Sequence, residues 1–200
     1  SKARFSYQEY FERMDKKADR FGQPVSALLG SIEAQIQLGL PSIGGKDSMS
    51  GTFEDLTVPP TLVAFGVTTA DSRKVLSPEF KAVGEWIYYI QGQALSQEID
   101  FETVKANFTQ FASLQKEHKI SAASAVKYGG VLESIALMSL GNRIGAKVNL
   151  TDLSTCLTGQ LGGFIFTSTE EIPNVAKIGQ TTQLFTLTVN DIDINGLNLL

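Results

Sequence analysis

Chemistry-capable side chains are densest in Ile43-Gly44-Gly45-Lys46-Asp47-Ser48-Met49-Ser50-Gly51, where two glycines precede a cation, a carboxylate and two hydroxyls. Glycines let a backbone come close to a ligand, and a lysine, serine hydroxyls and main-chain amides can together hold phosphate oxygens. The spacing is not that of a Walker A loop, which needs Gly, four residues, then Gly-Lys-Ser/Thr. Here Gly45-Lys46 would require glycine at Leu40, and Asp47 stands where the hydroxyl residue belongs. On residue types alone, a phosphate site and a glycine-rich turn fit the stretch equally.

A second cluster runs from Ser121 to Gly130, bringing small residues and the pair Gly129-Gly130 to the start of a helical pattern. Helix starts offer free amides and a partial positive charge to anions. Close packing of a helix on a sheet accounts for the same small residues and is the simpler reading. Thr158-Gly159-Gln160-Leu161-Gly162-Gly163 is a third, weaker turn of this kind.

The chain has one cysteine, Cys156, and one histidine, His118, which rules out an internal disulfide and any closed zinc site built from about four Cys or His ligands. Cys156 lies in an apolar context and reads as a small buried side chain. His118 closes a charged helix end, where a cation complements the dipole. With Lys and Arg at 17 against 21 Asp and Glu, the formal charge is −4 and no basic run exists for duplex nucleic acid. No apolar run reaches the ~20 residues that span a bilayer. No signal-peptide pattern follows Ser1-Lys2-Ala3-Arg4-Phe5, so a cytoplasmic location is expected.

The elements that must position these residues follow from periodicity. Ser6-Tyr7-Gln8-Glu9 has the form of a capping box, and Tyr7, Tyr10, Phe11, Met14 and Ala18 predict a first helix behind it. After a break at Phe21-Gly22-Gln23-Pro24, Val25, Leu28, Leu29, Ile32 and Ile36 predict a second, stopped by Gly39. Thr61 to Val67 reads as a buried strand, and Glu85 to Ile90 as another beyond an irregular loop over 72–84. Asp100 caps a third helix with Phe101, Val104, Phe108 and Phe111 on one face. A fourth runs from Gly130 to a Gly141-Asn142 stop. Ala146 to Leu150, Gly163 to Thr167 and Leu184 to Val189 are further strands, and Asn195-Gly196 predicts a hairpin between Ile192, Ile194 and Leu197, Leu199. The sum is an α+β fold: a mixed β-sheet with helices packed on one face, preceded by a helical remnant. Pro59-Pro60 is the one compositional boundary. Residues 1 to 58 hold too little to enclose a core alone, so the chain is expected to self-associate through Tyr10, Phe11, Met14 and Leu28.

Leu38-Gly39-Leu40-Pro41-Ser42-Ile43-Gly44-Gly45-Lys46-Asp47-Ser48-Met49-Ser50-Gly51-Thr52-Phe53 resembles a signature stretch of the phosphoribosylformylglycinamidine synthases. Phe5 to Glu12 and Pro24 to Gly30 resemble the same family upstream. Tyr128 to Ala136 and Gly141-Asn142-Arg143-Ile144-Gly145 resemble its second C-terminal lobe, so the likeness covers essentially the whole chain. It implies a part of the ATP- and glutamine-dependent ligase of purine biosynthesis that converts formylglycinamide ribonucleotide to its amidine. The resemblance makes residues 1–56 the C-terminal part of an ATP-binding-type lobe. Residues 57–200 would be the following lobe, like the C-terminal lobe of aminoimidazole ribonucleotide synthetase.

The first repeat, the rest of the nucleotide lobe and the glutaminase domain would be partners on missing polypeptide, and the isolated chain is expected to complete no reaction. ATP and Mg²⁺ would be the parent's cofactors. The resemblance further implies that Gly44, Gly45, Lys46, Asp47, Ser48 and Ser50 face substrate or phosphate. Lys46 would neutralise it, Ser48 and Ser50 would donate to it, and Asp47 would orient Lys46 or contact a metal. Gly129 and Gly130 would lie beside the nucleotide. Many family members carry a metal-binding aspartate just before that pair, where this chain has Tyr128, which cannot ligate a hard cation as a carboxylate does. A stand-alone degenerate lobe acting as a binding module is the alternative. A small kinase-like enzyme fits less well, for want of a complete phosphate loop.

Overall fold

The computed structural model describes residues 2–196, the Thr155 side chain apart. Arg4-Phe5-Ser6-Tyr7-Gln8 alternates polar and aromatic side chains, and Arg4–Tyr10 forms strand β1. The helix expected there is not formed. Strand β1 is hydrogen-bonded on both edges in a three-stranded sheet, and two ladders outweigh the weak local preference signalled by a capping-box pattern. Helix α1, Ala18–Leu38, begins earlier than expected and passes through Pro24. Proline there removes one bond, to the Arg20 carbonyl, and the turns on either side carry the helix across. Arg20 fixes the first turn: its guanidinium donates to the Arg13 carbonyl and to Asp15 Oδ2 at 2.8 Å each, with Glu12 at 3.2 Å. Gly39 ends the helix in the left-handed conformation, as expected.

Strand β2, Ser42–Ser48, returns parallel to β1, so the glycine-rich stretch expected as a loop is largely a strand, and β1-α1-β2 is a crossover unit. A small hairpin follows, β3 Thr52–Phe53 with β4 Leu56–Thr57. Strand β5, Thr61–Val67, lies antiparallel to β1. It is an edge strand, partly exposed along its length rather than buried. These elements make one compact unit, Ser1–Lys74, so the Pro59-Pro60 step falls inside a unit and not at its end. Phe11, expected on an exposed surface, is buried, whereas Tyr10 and Leu28 are exposed.

The second unit, Val75–Leu200, contains β6 Trp86–Ile90, β7 Gln93–Ala94, α2 Phe101–Glu117, β8 Ile120–Ala125, α3 Gly130–Asn142 and β9 Gly145–Val148. Then come α4 Leu153–Cys156, β10 Gln160–Leu161, β11 Phe164–Ser168, β12 Ala176–Thr182, β13 Thr186–Val189 and β14 Ile192–Asn195. Seven strands form one mixed sheet in the order β14-β13-β9-β12-β6-β11-β8, with β13 and β9 parallel and the other neighbours antiparallel. Asp100 caps α2 by accepting from the Glu102 and Thr103 amides at 3.0 and 3.2 Å. Strand β8, with its Ser and Ala, and strand β12 were not legible from propensity.

The mixed α+β class is as expected, and the helical cover is two-sided. Ile87 and Ile165 pack with Val131, Ile135 and Met138 of α3, while their strand neighbours Tyr88, Phe164 and Phe166 pack with Phe111 and Leu114 of α2. Alternate side chains of a strand leave on opposite faces, so the expected single helical layer is two. Phe111 stacks on Phe164 with centroids 4.6 Å apart. The tail turns earlier than expected: Val189 pairs with Ile192 across Asn190, whose φ is 54°. Leu197 and Leu199, the far arm of the expected Asn195-Gly196 hairpin, lie outside the described residues. Among the described residues no helix is long and apolar enough to cross a membrane.

Ile135 is fully buried in the α3 cluster, so Ile135→Ala is expected to lower the second unit's stability by about 2–5 kcal/mol in urea titrations followed by circular dichroism. Leu137→Ala, on the exposed side of the same helix, is expected to cost less than about 1 kcal/mol.

Candidate functional site

The first unit carries the richest site. Because β2 is a strand, its side chains alternate, and the parallel register sets Gly45 beside Tyr7 and Asp47 beside Glu9 on the face toward α1. Gly44, Lys46 and Ser48 belong to the opposite face, in register with Ser6, Gln8 and Tyr10. The expected set of six is therefore divided: Gly44, Lys46 and Ser48 on one side, Gly45 and Asp47 on the other, and Ser50 beyond the strand. Lys46 Nζ donates to the Asp47 backbone carbonyl at 3.4 Å, and among the described residues no ion pair joins the two side chains. An orienting role for the Asp47 carboxylate toward Lys46 has no contact to support it.

Gly45 has a packing reason to be glycine. A Cβ there would sit 2.6 Å from the Tyr7 carbonyl oxygen, so a side chain would push β2 off β1. Gly44 has open space around it. Between α1 and the β1–β2 face lies a groove of about 560 Å³, walled by Phe21, Val25, Leu28 and Ile32 and floored by Tyr7, Glu9, Gly45 and Asp47, with Lys46 also contributing to its lining. Burial, with the neighbouring Asp47 as a second cause, raises the Glu9 carboxyl above the ordinary carboxylate range. Glu9 is hidden in the sequence because the capping-box composition of its segment points to a helix. The period-two alternation of residues 4–8 was the signal that could have placed it on a strand.

In the second unit, the glycine pair stands at the start of α3. Gly130 has φ +75°, and a Cβ would strike the Cys156 carbonyl, so glycine is needed for the turn. The Gly129 amide already donates to Glu133 Oε2 at 3.0 Å, so the chain's own carboxylate sits at the helix start proposed for an anion. Tyr128 projects from this turn and is 86% exposed. The Thr158–Gly163 turn is organised by buried Gln160, a residue sequence reasoning passed over. Its Oε1 accepts from the Tyr89 hydroxyl at 2.8 Å and the Gly92 amide at 2.9 Å.

Cys156 is buried, its thiol donates to the Asp152 carbonyl at 2.9 Å, and burial pushes its pKa up, which opposes formation of a thiolate. His118 caps α2 and faces Glu170 Oε2 at 3.3 Å. Among the described residues no three His, Cys, Asp or Glu gather as a metal site, and Tyr128 and the engaged Glu133 do not fit Mg²⁺.

Neither a family model nor a curated protein sequence matches the chain. Solved structures do. PurL of Thermotoga maritima complexed with ATP aligns with 100% of this chain and 38% of its own at TM-score 0.74 and 14% identity. The same protein complexed with FGAR aligns with 98% of this chain and 39% of its own, at TM-score 0.69 and 13% identity. Thiamine monophosphate kinase of Aquifex aeolicus aligns with 96% of this chain and 74% of its own, at TM-score 0.58 and 12% identity. The chain thus has, over its whole length, a fold found in PurL, and it spans well under half of those PurL chains.

Two substitutions separate packing from ligand binding in β2. Gly45→Ala is expected to weaken the β1–β2 ladder by about 1–3 kcal/mol, read as faster amide exchange in both strands, whereas Gly44→Ala leaves exchange unchanged. The raised Glu9 pKa also has a sign. The folded state holds that proton more tightly than the unfolded chain, so the first unit gains stability as pH falls through the raised value toward the ordinary one. Glu9→Gln is expected to flatten that limb of the urea midpoint measured against pH.

Proposed function

We propose that the chain is a segment of an ATP-dependent C–N ligase of the phosphoribosylformylglycinamidine synthase type, acting on formylglycinamide ribonucleotide. In this reading Ser1–Lys74 holds the end of an ATP-binding-type lobe, with the lobe boundary between the expected residue 56 and Lys74. Val75–Leu200 holds the C-terminal-type lobe. The observation that carries the reading is the alignment of the whole chain with PurL, in company with the Gly44-Gly45-Lys46-Asp47-Ser48 stretch on which the sequence resemblance rests. PurL has been solved with ATP and with FGAR, and those ligand classes are proposed for the parent of this chain.

Within that reading Lys46 is the residue whose charge meets substrate phosphate, with Ser48 on the same face as a hydroxyl donor. Gly129 and Gly130 lie beside the nucleotide. ATP supplies the activating phosphoryl group, glutamine supplies nitrogen through a glutaminase carried on other polypeptide, and the parent works in the cytoplasm. The residues around Tyr128 do not furnish the magnesium ligands, which leaves Asp47 as this chain's candidate metal contact.

The chain by itself is expected to show neither ATP hydrolysis nor amidine formation. Phosphate release by this purified chain at a rate that follows its own concentration and is lost with Lys46→Ala would overturn the proposal. In the longer polypeptide, Lys46→Ala is expected to lower kcat/KM for the ribonucleotide by roughly tenfold or more, measured by steady-state phosphate release. An unchanged kcat/KM would remove Lys46 from the substrate site.

A further inference from the structure

We propose that Gln160 is a positioning residue for the nucleotide, holding the Lys127–Gly130 turn in place so that Gly129 and Gly130 meet that ligand preformed. This role rests on the ligase reading, which sets the two glycines beside the nucleotide. Gln160 is 6% exposed, a burial that costs free energy unless the side chain is hydrogen-bonded. Its Oε1 accepts from the Tyr89 hydroxyl and from the Gly92 amide, and its own backbone amide donates to the Lys127 carbonyl at 3.3 Å. That carbonyl also accepts from the Gly130 amide at 3.2 Å, the bond that closes the turn. One residue thereby ties the turn to β6 and to the segment that follows it.

The contacts leave the amide one orientation. The Gly92 N–H can only donate, so the carbonyl oxygen of the Gln160 side chain must face it. Burial raises the Tyr89 hydroxyl pKa above its ordinary value, which keeps that group a donor at neutral pH. A Cβ at Gly163 would stand 2.8 Å from Oε1, and one at Gly92 would stand 2.5 Å from the Gly163 nitrogen, so both glycines make room for the contact. The Gly163 carbonyl in turn accepts from the Val126 amide at 2.9 Å, just ahead of the turn. The turn's own side chains, Lys127 and Tyr128, are exposed, so packing does not place it. Backbone bonds do: Glu133 takes the Gly129 amide, and Gln160 takes the Lys127 carbonyl.

Steady-state phosphate release by the longer polypeptide tests this, with ATP varied at saturating ribonucleotide and then the reverse. Gln160→Met keeps the bulk and removes the acceptor. It is expected to raise KM for ATP at least about fivefold and to leave KM for the ribonucleotide within about twofold. A merely structural role would lower the folded fraction, and with it kcat, and leave both KM values alone. Gln160→Glu keeps an oxygen for both donors and is expected to return KM for ATP to within about twofold of the unaltered value. Tyr89→Phe removes one donor with the ring retained and is expected to raise KM for ATP at least about twofold, which keeps the test decisive where Gln160→Met does not fold. An unchanged KM for ATP in whichever of these two variants folds, an equal rise in both KM values, or no recovery with Gln160→Glu would overturn the proposal. An unaltered polypeptide that releases no phosphate sinks the ligase reading and this role together, whereas an active one indifferent to Gln160 sinks the role alone.

Discussion

The close approach of β2 to β1 at Gly45 and Tyr7 governs what the first unit can do. A side chain at residue 45 would meet the Tyr7 carbonyl, and only its absence lets a parallel ladder form there. Parallel pairing in turn demands a crossover, which is α1, and the crossover leaves an apolar helix lying above one face of the sheet. Register then does the sorting. Because side chains alternate with a period of two, one ladder sends Asp47 to the groove beside Glu9 and sends Lys46 to the opposite face. A slip of one residue would exchange them. The chemistry of the Gly44–Ser48 stretch is thus set by strand geometry rather than by the shape of a loop.

The second unit obeys the same rule on a larger scale. Adjacent residues of β6 and β11 feed separate cores, one closed by α3 and the other by α2. Both faces of the central strands are consequently dry, and the polar groups trapped among them are paired. Thr167 donates to Glu85 Oε2 at 2.9 Å, and Thr181 donates to the Ala82 carbonyl at 2.8 Å. An unpaired polar atom here would cost about 1–3 kcal/mol, enough to matter against a domain's few kcal/mol of net stability.

Long apolar periodicities were legible in the sequence and local signals were legible where nothing competed with them. The α2 cap at Asp100, the stop of α1 at Gly39, the span of α3 and the strands Thr61–Val67 and Trp86–Ile90 all follow from their residues. What misled was local pattern overruled by tertiary pairing. Ser6-Tyr7-Gln8-Glu9 has the composition of a helix cap, yet it lies in a strand bonded on both sides. Ile120–Ala125 has no β-branched residue after Ile120 and is a strand because β11 templates it. At the candidate site the residue types were legible, but their division between two faces was not, since alternation has meaning only once the segment is known to be extended.

The two glycine-rich features compared for anion binding now differ in kind. At the start of α3 the Gly129 amide is bonded to Glu133, and the helix dipole there is already partly offset by that carboxylate, an effect of about 0.3–1 kcal/mol. A phosphate arriving at that end must first displace a tethered anion and then tolerate it as a near neighbour. On β2 the opposite holds for the face that carries Lys46: among the described residues the ammonium donates to a single neutral carbonyl at 3.4 Å, a contact much weaker than a charge-assisted bond of about 1.5–3 kcal/mol to an anion. The carboxylates that could repel an anion, Glu9 and Asp47, belong to the other side of the same strands. Alternation along one strand thus sets Lys46 and the Glu9–Asp47 pair one step apart, and that division follows from the register at Gly45.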